Sequence, residues 1–82
     1  MNALQCKLAR VALGWGVREL AHAAGVSTQT ISRLERGEHL RAGTRDGIKQ
    51  VFESAGIEFI SGDGDSFGIH IRKHRPIEGA DN

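Results

Sequence analysis

VRELAHAAGVSTQTISRLERG, residues 17–37, decides how this chain folds. Val17, Leu20, Ala21 and Ala24 recur at intervals of three and four, so they share one side of a helix while Arg18, Glu19 and His22 point elsewhere. Gly25 stands where such a helix ends, because a residue without a side chain enters the left-handed conformation at no steric cost. Ser27 then offers its hydroxyl to the exposed amides of a following turn. Ile31 and Leu34 supply the apolar spacing of a second helix, residues 28–36, with Gly37 as its stop. Between those two anchors the second helix leaves Thr28, Gln29, Thr30, Ser32, Arg33 and Arg36 free, a set able to bond base edges and phosphates. Two short helices about one tight turn, the second polar on its outer side, imply a DNA-reading module.

The same residues resemble the helix-turn-helix of the lambda Cro and phage-repressor superfamily, the Xre family of bacterial regulators. The likeness rests on ARVALGWG at residues 9–16, GVS at 25–27 and ISRLERG at 31–37, and it covers roughly the first 55 residues. It implies Thr28, Gln29 and Arg33 as base readers, with Ser32 beside them, and puts Arg18, Ser27, Thr30 and Arg36 at phosphates. In this family the loop after the recognition helix runs along the DNA backbone, which adds His39, Arg41 and Arg45 to the phosphate set. The resemblance also pairs Arg10 with Glu35 as a structural ion pair clamping the first helix onto the third. At Val17 the chain departs from the family, which usually carries Gln there to contact a phosphate; that contact is absent or replaced.

Working outward, 82 residues allow one domain with a modest core, since a chain this short buries only about 60% of the surface it exposes unfolded. A lone Cys6 excludes an internal disulfide framework, and on a core-facing helix with no CxxC partner it reads as a small buried hydrophobe. No apolar run approaches the ~20 residues of a membrane span, and no signal peptide opens the chain, so a cytoplasmic, nucleoid-associated location is expected. Residues 1–50 hold eight Lys or Arg against four acids, and residues 51–82 hold three against six. Basic character concentrated on one half suits a surface that meets phosphate.

Residues 2–13 read as the first helix, with Cys6 and Leu13 inward by resemblance, and Gly14-Trp15-Gly16 as the break after it. Trp15 is expected to anchor the helix ends rather than to stack on a base, because duplex DNA offers no unstacked base face. Residues 37–44 form a loop, and Thr44 can cap a fourth helix, residues 45–55, striped by Ile48, Val51, Phe52 and Ala55 and closed by Gly56. From Ile57 the period becomes two, giving a β-hairpin with strands at residues 57–60 and 67–72 around SGDGDS. DGDS lacks the closing Glu of a calcium loop, and His70 and His74 would lie about 13 Å apart along a strand, so no metal is expected.

The expected fold is therefore mainly α, a four-helix lambda-repressor-like helix-turn-helix region at residues 1–56 with a C-terminal β-hairpin at 57–75 and a flexible tail at 76–82. An uncovered hairpin edge is an aggregation hazard, and a second copy of the chain is the economical shield. Ile57, Phe59, Phe67, Ile69 and Ile71 are the dimerisation residues on that view. A homodimer would set two recognition helices in successive major grooves about 34 Å apart on a near-palindromic operator, with repression the expected outcome. The alternative is an antitoxin that binds a toxin protein and represses its own operon. No catalytic residues and no cofactor are expected, because no nucleophile, base and orienter stand together.

Overall fold

Local chemistry sets where each helix starts. The computed structural model describes residues 1–72, in which α1 (Ala3–Ala12), α2 (Val17–Ala24), α3 (Thr28–Glu35) and α4 (Ala42–Ser54) precede strands β1 (Ile57–Ser61) and β2 (Phe67–Ile71). At α1 the Gln5 amide donates to Asn2 Oδ1 (2.8 Å) while the Asn2 amide donates to Gln5 Oε1 (3.0 Å), a reciprocal capping box. At α2 the Gly16 amide donates to Glu19 Oε1 at 2.8 Å. At α3 the Thr30 amide donates to Ser27 Oγ at 3.1 Å. The fourth helix corrects the expectation from sequence: it begins at Ala42, three residues before Arg45, so Thr44 lies inside it and caps nothing. Arg41, in extended conformation and without a side-chain cap bond, is its N-cap.

Helix ends are closed by a common device. After α2, Gly25 (φ 69°) lets the Val26 amide reach back to Ala21 O at 3.0 Å. After α3, Gly37 (φ 88°) does the same for the Glu38 amide and Arg33 O, also at 3.0 Å. Trp15 makes the corresponding bond to Arg10 O after α1. In each case the residue beyond the glycine is folded back over the last helical turn.

The core collects one side of every element. Cys6, Ala9, Leu20, Ala21, Ile31, Leu34, Ile48, Phe52 and Ile57 are buried together. Phe52 is its centre, with the Trp15 ring stacked on one side (centroids 6.0 Å, 20° between planes) and the Phe59 ring edge-on (5.9 Å, 73°). Trp15 is thus an anchor of the α1–α2 break onto α4, and burial of rings of this size stabilises by about 2–3 kcal/mol each.

The antiparallel hairpin pairs Ile57 with Ile71, Phe59 with Ile69 and Ser61 with Phe67 on one face, and Glu58 with His70 and Ile60 with Gly68 on the other. Its inner face divides the five residues expected at a dimer contact. Ile57 is fully buried, and Phe59 and Ile69 pack on this chain's own helical core, whereas Phe67 and Ile71 stay 41% and 51% exposed. Buried Gln5 fastens the hairpin to α1, its Nε2 donating to Ile60 O at 3.1 Å and Gly68 O at 2.8 Å. His70 faces Glu58 across the strands at 3.2 Å. His74, residues 73–75 of the hairpin region and the 76–82 tail lie outside the described residues.

Candidate nucleic-acid interface

Helix α3 is held from behind and, among the described residues, exposed in front. Ile31 and Leu34 enter the core, and Glu35 beside them takes both arms of Arg10: Nε donates to Oε2 at 2.8 Å and Nη2 to Oε1 at 2.9 Å. Arg10 Nη1 also donates to Trp15 O at 3.1 Å, so one guanidinium joins α1, the α1–α2 break and α3. The two side chains are only 13% and 9% exposed, and a bidentate pair so far out of water fixes both position and rotation of the helix. Cys6 Sγ completes the arrangement by donating to Glu35 Oε2 at 3.5 Å. Burial first, and the Glu35 carboxylate second, push this thiol up to about 12, far from the thiolate a redox site needs.

The outward face of α3 carries Gln29, Arg33 and Arg36, which follow one another at four and three residues and are all exposed. Thr28 stands exposed at the leading edge, and Ser32 and Thr30 are half-buried on either flank of the exposed strip. Ser27 and Thr30 share one hydroxyl–hydroxyl bond of 2.9 Å. One hydroxyl proton is consumed by that bond and the other remains for an outside acceptor.

A depression lies on each side of α3. On one side Thr30, Arg33, His39, Leu40, Arg41 and Thr44 line a cleft of about 310 Å³, which gathers four residues expected at DNA. On the other, Arg18, Glu19, Ala21, His22, Val26 and Thr28 line a shallower hollow of about 460 Å³, in which one cation and one acid offset each other. Basic side chains therefore line the cleft on one side of an exposed polar helix, whose 10–12 Å width matches the roughly 12 Å major groove. Arg45 is placed apart from them, on α4, in a hollow lined by Met1, Asn2, Leu34, Gly37 and Glu38, with its Nε buried and without a hydrogen-bond partner among the described residues. Val17 packs against the core at the start of α2.

Two residues with clear geometric roles escape a reading of the sequence. Gln5 looks like ordinary helix polarity, although the Asn2–Gln5 spacing is itself a capping-box signal. Glu38 looks like a solvated loop acid, yet Arg33 Nε donates to its Oε1 at 3.0 Å, and Arg36 Nε and Nη2 donate to its Oε2 at 3.0 and 2.9 Å. The Arg33 bond, and then those of Arg36, hold the Glu38 carboxyl below its ordinary value.

Comparison with known proteins agrees with this geometry. The family model described as helix-turn-helix matches residues 7–42, from within α1 to the first residue of α4. No curated protein and no solved structure matches the chain.

Proposed function

The chain carries, over residues 7–42, a helix-turn-helix of the Xre, Cro and lambda-repressor-like family of DNA-binding regulators, and from that premise we propose that it is a repressor reading a near-palindromic operator as a homodimer. The observation that carries the proposal is the outward strip of α3 standing beside a cleft lined by Arg33, His39 and Arg41 without an acid. Gln29 and Arg33 read base edges in the major groove, Gln suiting adenine and Arg suiting guanine, with Thr28 and Ser32 at the margins of the strip. Arg18, Ser27 and Thr30 bind the phosphates nearest the start of α3, and His39 and Arg41 those along its far side, where the Arg36 fork is engaged by Glu38; Arg45 adds long-range attraction from α4.

A second copy is supported by apolar surface left uncovered. Leu4, Leu8 and Val11 recur at helical spacing as an exposed stripe on α1, and α1 packs on β2, whose Phe67 and Ile71 are also exposed. Pairing of two chains there covers the stripe and the hairpin edge together.

Selection of bound duplexes from a random pool tests this function. Two inverted half-sites whose centres lie one helical turn apart, about 34 Å, are expected. Arg33→Ala should weaken binding to the selected operator by about 1–3 kcal/mol and relax one base position. A pool enriched only in single half-sites would remove the homodimer, and equal affinity of wild type for selected and random duplexes would remove base reading. A toxin protein copurifying in place of the second copy would favour the antitoxin alternative.

A further inference from the structure

The glycine-closed ends of α1, α2 and α3 differ in the residue folded back over the turn. After α1 and α2 that residue is Trp15 or Val26, both packed against the core. After α3 it is Glu38, which is exposed and takes hold of the two arginines on the outward strip. The φ of 88° at Gly37 and the bond from the Glu38 amide to Arg33 O bring the carboxylate to this place, so the contact is built into the backbone.

The two arginines are held differently. Arg33 gives Glu38 only its Nε, which leaves Nη1 and Nη2, the pair that reaches guanine O6 and N7 end-on. Arg36 gives Nε and Nη2, the side of its fork that would otherwise clasp a phosphate.

Resting on the DNA-reading function above, we propose that Glu38 is a specificity-determining positioning residue: it aims the Arg33 guanidinium at a base and keeps Arg36 from clasping phosphate. A carboxylate at the edge of the reading face also repels the DNA backbone. Both effects lower affinity for random duplex and raise discrimination at one guanine. With a side chain 44% exposed, Glu38 adds little to folding, so its substitution leaves a folded chain.

The test compares wild type, Glu38→Gln, Arg33→Ala and the double variant by fluorescence anisotropy over a series of salt concentrations. The probes are the selected operator, the same duplex with the base pair relaxed in Arg33→Ala exchanged, and a random duplex. Glu38→Gln should bind random duplex about five- to tenfold more tightly near 0.15 M salt, with a log–log salt slope steeper by about 0.9, as one phosphate contact is gained. It should lose about tenfold in discrimination at the exchanged pair. In the Arg33→Ala background the same substitution should leave that discrimination unchanged, because nothing remains to be aimed.

Unchanged random-duplex affinity and discrimination in Glu38→Gln would overturn the proposal while leaving DNA reading intact. Equal weakening on all three duplexes would overturn it too, marking Glu38 as a support of the fold. Should wild type bind the operator and random duplex alike, the underlying function fails and the role of Glu38 with it.

Discussion

Glu35 shows how much of the interface depends on a side chain that never reaches its surface. It accepts from Arg10 through two nitrogens and from Cys6, and Arg10 in turn supports Trp15 O. Arg10→Met leaves this nearly buried carboxylate with the weak thiol donor alone, a loss of about 3–5 kcal/mol. Domains of this size are stable by only about 5–15 kcal/mol, so the variant should melt far below wild type by circular dichroism. Glu35→Leu added to it should recover most of the loss, since an apolar pair avoids the stranded charge. A melting curve unchanged by Arg10→Met alone would show that the bridge does not hold α3. Cys6 provides a pH test at the same scale. Its ordinary value is 9.0 and the fold pushes it to about 12, so between these the unfolded chain releases a proton that the folded chain keeps. Stability contributed by the protonated thiol is whole below pH 9 and declines as pH rises toward 12. Wild type should therefore lose more stability than Cys6→Ala over that interval in urea titrations, and parallel losses would contradict the burial argument.

The elements divide into those with local signals and those decided by distant packing. Gly25 illustrates the first kind, because its positive φ is demanded by the turn between α2 and α3. Nothing lies within 4 Å of a Cβ built there, so Gly25→Ala suffers backbone strain alone, about 1–2 kcal/mol. Chemical denaturation measures this, and a stability equal to wild type would mean that the turn tolerates another conformation. Residues 17–37 were legible because glycine stops, a Ser27 cap and three-four spacing all act within a few residues of one another. The start of α4 was not legible: Ala42 and Gly43 look like loop, Arg41 caps without a side-chain bond, and Thr44 mimics a cap it does not form. In the hairpin, alternation assigned Ile57, Phe59, Phe67, Ile69 and Ile71 to one face. It held no information on which of them this chain's own helices cover, because that depends on α1 and α4 arriving from far along the sequence. Glu38 was hidden for a related reason, since its partners are set by the reversal at Gly37 rather than by helical spacing.

At the scale of the whole molecule, uncovered apolar surface and concentrated charge lie on different elements. Leu4, Leu8, Val11, Phe67 and Ile71 belong to α1 and β2, whereas the basic cleft lies beside α3. If two chains pair through the former, Leu8→Glu should leave the far-ultraviolet spectrum intact, yield a monomer in sedimentation equilibrium and weaken operator binding more than half-site binding. A Leu8→Glu protein that sediments and binds as wild type would move the subunit contact elsewhere. The Gln5 joint between α1 and the hairpin bears on how such a molecule comes to be folded. Contacts within and between α2 and α3 span short stretches of chain, but the Gln5 amide must find carbonyls 55 and 63 residues away. Closing a segment that long costs more entropy than closing a helical turn, so it follows the local structure in time. On a ribosome the first helix waits for Gly68 to emerge before its hairpin neighbour can dock, leaving the helix-turn-helix formed but incompletely covered in the meantime.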